Sequence, residues 1–143
     1  MVIRHLILAT AVLGVLVGAT SPQPEYAEGQ VWEYQTRPGD EGSLLRIQKI
    51  ENLAFARQGP VYHISIIGVR FPGLPLAGEL QHAPVSRQSL DASVTRLSDS
   101  SAAFPDPSAG IAEWRAAEGG VFTVSIAKVV AFVEQTVRPQ IPQ

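Results

Sequence analysis

The sequence predicts an α+β domain: an antiparallel sheet of about four to five strands with two or three helices packed on one face. Three observations carry that expectation. Alternation of period two dominates residues 30–36, 43–51 and 61–71. Spacings of three and four residues replace it from Ser86 onward. The links between the early strands are short and rich in glycine and proline, which suits a meander of neighbouring strands. Strands first and helices later is the order of an α+β chain rather than of repeated βαβ units.

Taken in order, residues 1–19 read as a secretory signal peptide. Arg4 supplies the positive start, residues 6–17 are apolar apart from Thr10 and Gly14, and Val17-Gly18-Ala19 offers a small-residue site with cleavage after Ala19. An apolar run of about 12–14 residues falls short of the roughly 20 that a membrane-spanning helix needs. The chain is therefore expected in the bacterial periplasm or outside the cell, meeting the membrane only in transit. Residues 20–28 contain Pro22 and Pro24 without periodicity and read as a flexible arm.

The single domain is expected over residues 29–138. Its first strand places Trp32, Tyr34 and Thr36 on one face, and Pro38-Gly39 then fits the centre of a type II turn. The return strand, 43–51, turns Leu45 and Ile47 inward, and its alternation slips before Ile50, which predicts a bulge. In 61–71, Tyr62, Ile64 and Ile66 share a face while His63 and Ser65 point the other way, and Gly68 marks a bulge or bend. Residues 79–82 suit a short fourth strand.

Ser86 can cap a helix carrying Leu90, Val94 and Leu97. Asp106-Pro107 opens a second helix with Ile111 and Trp114, which Gly119-Gly120 stops. Residues 121–124 read as a short strand. Ser125 can cap a last helix with Ile126, Val129, Val130, Val133 and Val137 on one stripe. Each of those side chains stabilises the fold by about 1.5–3 kcal/mol when buried, so the stripe reads as core and needs no partner protein to explain it. Arg138-Pro139 ends the helix and leaves a tail at 139–143.

Composition narrows the chemistry. A chain of 143 residues is one domain long, and it has no cysteine. Disulfides, zinc ribbons, thiol catalysis, iron–sulfur ligation and a lipoprotein anchor are thereby excluded. The 11 Lys and Arg against 13 Asp and Glu form no basic stripe, so no nucleic acid is expected as a partner. No nucleophile elbow, zincin, phosphate-loop or dinucleotide motif occurs, and no cofactor is implied. Outside the leader the histidines are His63 and His82, with no ligand spacing around either. They read as a solvent-facing strand histidine and a loop histidine. A triad of Ser65, His82 and Asp91 can be drawn but has no support from spacing.

Binding candidates come from two loops. Residues 36–41 present Arg37, Asp40 and Glu41 on a constrained turn, a fit place for recognition. The 72–78 loop carries Leu74 and Leu76, which either touch a partner or, more simply, cover the sheet edge. Trp32, Tyr34 and Trp114 read as core aromatics before they read as a pocket.

The run Gly29-x-x-Trp32-x-Tyr34-x-Thr36-Arg37-Pro38-Gly39-Asp40-Glu41 resembles the opening of a family of small uncharacterised bacterial proteins. The resemblance extends to Leu90-Asp91-x-Ser93, Trp114 and Gly119-Gly-x-Phe122-Thr-Val-Ser125. It implies no activity, cofactor or catalytic residue. The sequence thus favours an exported, non-catalytic binding or interaction module whose partner is another envelope protein or a small ligand. The alternative is a small hydrolase or other enzyme with an unrecognised site. That alternative requires His63 or His82 to meet an acid or a hydroxyl in a cleft.

Overall fold

The computed structural model describes residues 22–138 together with Gly14, Val15, Val17 and Gly18. Apart from those four residues, the expected leader lies outside the described residues, as does the tail at 139–143. Among the described residues no helix is long and apolar enough to cross a membrane.

Five antiparallel strands form one sheet. They are β1 (Val31–Tyr34), β2 (Leu44–Glu51), β3 (Val61–Ile67), β4 (Glu79–Val85) and β5 (Val94–Ser98), in the spatial order β4-β3-β2-β1-β5. The first four make a meander, and β5 returns to the far side of β1. The helices are α1 (Arg87–Asp91), α2 (Ser108–Ala116) and α3 (Ile126–Val137). The expected α+β architecture is therefore present.

Local chemistry explains the turns. Asp40 N–H donates to the Arg37 carbonyl at 3.1 Å, and Gly39 between them sits at φ 94°, a backbone conformation only glycine adopts without strain. The register of β2 against β3 shifts between Ile47 and Lys49, where the alternation slips.

The pleat of β3 organises the core. On one face, Tyr62, Ile64 and Ile66 join Trp32, Tyr34, Leu45, Ile47, Ala83 and Val85. Leu90 of α1 and Ile126, Val129 and Val130 of α3 pack onto that surface. On the other face, Val61, His63 and Ser65 are fully buried, and the Trp114 ring of α2 stands edge-on to His63 at 5.0 Å. Two helices thus cover one face as expected, and the third lies on the opposite one.

Several elements differ from expectation, each for a local reason. The helix after Ser86 ends at Asp91 rather than running on through Val94 and Leu97. Ser93 stops it: its hydroxyl donates to the Ser89 carbonyl at 2.7 Å and accepts from the Ile126 N–H at 2.9 Å, fastening this corner to the start of α3. The β-branched residues that follow pair with the free edge of β1, so Leu97 lies opposite Trp32 and stays 52% exposed. Residues 121–124 make only a parallel bridge, Phe122 to Val85, before Ser125 caps α3. Tyr26, in the segment read as an arm, docks edge-on against Trp32 and Tyr62 and donates its hydroxyl to Asp91 at 2.7 Å. Burial fades along the α3 stripe: Ile126, Val129 and Val130 are buried, Val133 is half-buried, and Val137 is 42% exposed.

Ile64 is fully buried at the centre of β3. Ile64→Ala is expected to lower the free energy of unfolding by about 2–5 kcal/mol, read from urea denaturation.

Candidate binding groove and its histidine pair

The two loops proposed from sequence lie largely within the fold. Arg37 donates from Nε to Asp40 at 2.7 Å, from Nη1 to Glu134 at 2.5 Å and from Nη2 to the Arg70 carbonyl at 3.0 Å. Its guanidinium also lies over the Phe71 ring. Asp40 is 2% exposed, and its second oxygen accepts from the Arg70 N–H at 2.8 Å. These contacts tie the β1–β2 turn to the chain after β3 and to the C-terminal half of α3. Glu41 alone of the three charges is exposed, and it accepts from the Gly39 N–H at 3.0 Å, which lowers its pKa. Leu74 and Leu76 are half-buried against the core, so the 72–78 loop covers the sheet.

This arrangement makes Asp40 structural and Glu41 peripheral. Asp40→Ala leaves the Arg70 N–H and part of the Arg37 fork without partners, at an expected cost of about 1–3 kcal/mol. Glu41→Ala is expected to leave the urea midpoint unchanged within error.

A different site forms at the outer edge of β4. α2 and α3 lie on opposite faces of the sheet, and where both pass that edge they leave a groove of about 610 Å³. Gly110, Glu113 and Trp114 present one face of α2, with Ala117 just past its end, and Val133 and Val137 line the other wall from the end of the α3 stripe. Leu80 and His82 of β4 and Leu76 of the covering loop complete it. Glu79 and Glu113 are the only charged side chains in this lining. Along β4 the only partner on the outer side, among the described residues, is Phe122, at the Val85 end. The Gln81 carbonyl accepts from Ser65, and among the described residues no strand pairs with the rest of that edge.

Two glycines shape the groove. A Cβ at Gly110 would come within 2.9 Å of the His82 side chain, so only glycine lets α2 approach β4 this closely. A Cβ at Gly119 would collide with the Trp114 indole, whose N–H folds back to the Gly120 carbonyl at 2.8 Å.

Behind the groove wall, three strands bring together residues that are distant in sequence. His63 Nε2 lies 3.3 Å from Glu51, and His63 Nδ1 lies 2.8 Å from His82 Nε2. Glu51 also receives Lys49 at 3.1 Å and Arg115 of α2. Burial alone would raise the pKa of Glu51, but hydrogen bonds from Lys49 and His63 and the Arg115 charge outweigh it and hold the carboxyl ionised. Burial lowers the pKa of His63, and it lowers that of His82 to about 4, with the charge of a protonated His63 adding to the effect.

These charge states fix the protons. An ionised carboxylate only accepts, so the proton of neutral His63 is on Nε2. Its Nδ1 is then an acceptor, and His82 must donate from Nε2. His82 Nδ1 is left bare. It has no partner among the described residues. The one fully buried side-chain nitrogen or oxygen there without a partner is Arg46 Nε, so His82 Nδ1 is not fully buried; it lies beside Gly110 of α2, and both residues line the groove.

The solvent-facing role expected of His63 is thus wrong: α2 closes over it, and it is 0% exposed. The drawn triad does not form. Ser65 donates to the Gln81 carbonyl at 2.6 Å, and Asp91 is held by Tyr26 and Arg87. Among the described residues no group of three or more His, Asp or Glu side chains is placed to hold a metal ion. The signal sequence reasoning missed was register. His63 stands opposite Lys49, two residues from Glu51, and a shift in the β3–β4 pairing between Ile64 and Ile66 brings His82 beside it.

The lowered imidazole pKa values have a consequence for stability. Between about pH 6.5, the unperturbed value, and about pH 4, the unfolded chain binds protons that folded His82 does not. Stability is therefore full above that window and falls as pH drops through it, and the depressed Glu51 acts in the same direction at lower pH. Urea midpoints measured across the window should decline with acidification, and His82→Gln should flatten that decline. Comparison with known families, curated proteins and solved structures finds no match to this chain.

Proposed function

We propose that this protein is an exported binding module of the bacterial periplasm or exterior, and that the groove beside β4 is its ligand site. The occupant is a short, extended, mostly apolar segment of another envelope protein. The observation that carries this reading is the coincidence of an apolar groove with an open strand edge. An edge strand offers backbone hydrogen bonds to an incoming strand, and pockets beside it select side chains. Phe122 already uses the end of that edge, exchanging Phe122 N–H to the Pro84 carbonyl and Ser86 N–H to the Phe122 carbonyl at 2.9 Å each. Leu76, Leu80, Trp114, Val133 and Val137 supply the apolar walls.

A second reading has one observation in its favour. The Glu51–His63–His82 chain ends in a bare imidazole nitrogen, as an acid–base catalyst would. Against it, no serine, threonine or tyrosine lines the groove to serve as a nucleophile. Binding is the better-supported function.

Half-buried Trp114 reports on the site. Short apolar peptides should change its fluorescence on titration, and Val137→Asp, at an exposed position, should weaken binding about tenfold, or about 1.4 kcal/mol. Equal affinity for Val137→Asp and the parent would remove the groove as the site. Turnover of p-nitrophenyl butyrate that is lost in His82→Gln would favour the enzyme reading instead.

A further inference from the structure

We propose that the bare Nδ1 of His82 is the polar anchor of the groove, and that the groove therefore selects a segment carrying a positively charged N–H donor, such as a lysine ammonium, within an apolar stretch. The inference rests on the groove being a ligand site and names what that site prefers. Three observations converge on it. The first is the direction of the hydrogen bonds from His82 to His63 to Glu51, which leaves an acceptor and no donor at the remaining nitrogen of His82, a residue of the groove lining. The second is the charge of the lining, which holds Glu79 and Glu113 and no lysine or arginine. The third is Trp114, whose indole N–H is already given to the Gly120 carbonyl, so the lining offers no free indole donor to take the place of a ligand's N–H.

The cations nearest the pair do not compete for this place. Lys49 of β2 and Arg115 of α2 are both bound to Glu51, on the far side of His63 from the groove. The anions facing the site are Glu79 from β4 and Glu113 from α2. Glu51 acts as a positioning residue, since it fixes the His63 proton and through it the accepting form of His82. A histidine at this place without Glu51 could present either a donor or an acceptor.

The test uses three capped apolar hexapeptides that differ at one central position, bearing lysine, norleucine or glutamate, titrated against the full chain by calorimetry. The lysine peptide is expected to bind at least about tenfold tighter than the norleucine peptide, and the glutamate peptide weakest, the tenfold preference corresponding to about 1.4 kcal/mol. In His82→Gln the lysine-to-norleucine ratio should collapse to within about twofold, and Glu51→Gln should reduce it part of the way. Circular dichroism establishes that each variant is folded, and the ratio is independent of the amount of active protein. Equal binding of the lysine and norleucine peptides overturns the inference while leaving the groove reading intact. A lysine preference that survives in folded His82→Gln also overturns it, and assigns the selectivity to Glu79 and Glu113. Binding of none of the three overturns the groove reading and this inference with it.

Discussion

The structure depends on β3 being buried on both faces. An antiparallel strand of a small domain usually shows one face to water, and its sequence then alternates cleanly. β3 alternates, but between large aliphatic or aromatic side chains and the set Val61, His63 and Ser65, and both sets are buried. One helix layer cannot cover both. α1 and α3 take the apolar face, and α2 must cross to the polar one, where Trp114 and Gly110 cover His63 and His82. Placing helices on opposite faces leaves the β4 edge between them, and the groove follows from that division.

The Arg37 node sets the other wall. α3 is held at its N-terminal half by burial of Ile126, Val129 and Val130, a contact that acts without fixing direction. Beyond Val130 the helix leaves the sheet, and Glu134 is the residue that reattaches it, through Arg37 to Asp40 and the Arg70 backbone. Val133 and Val137 flank that anchor and line the groove. The constrained turn, noticed in the sequence for its charges, thus serves the groove by holding the helix that forms one of its walls. The direction in which Arg37 and Asp40 act depends on partners 30 and 97 residues away, which no local pattern reveals.

What was legible in the sequence was whatever local chemistry dictates. The Pro38-Gly39 turn, the β2 bulge, the Ser86 and Ser125 caps and the inward faces of β1 to β3 each follow from a few adjacent residues. The mistaken helix through Val94 and Leu97 shows the limit. Leu90 faces the core from α1 and Leu97 is exposed on β5, so their helical spacing was coincidental, and the free edge of β1 decided the outcome. The α3 stripe shows another limit. Five apolar residues on one helix face signal burial, but only Ile126, Val129 and Val130 are buried, because how much of the stripe is covered depends on what packs beneath it.

The candidate site was illegible for a more specific reason. Glu51, His63 and His82 come from three successive strands, and their meeting requires two register shifts, one in each strand pairing. Displacing either pairing by one residue would turn a histidine toward the opposite face. Two neutral imidazoles within a buried hydrogen bond are costly to assemble unless each proton has an acceptor and each acceptor a proton. Here Glu51 supplies the terminal acceptor, and Lys49 and Arg115 keep it ionised. The chain of donors is then satisfied from the carboxylate outward, and the one lone pair it leaves over is on a histidine that lines the groove. A purely structural histidine pair would gain by closing that last nitrogen onto a backbone donor. Gly110 instead brings α2 close while adding no side chain that could cap it, and that uncapped acceptor is what the proposed ligand contact uses.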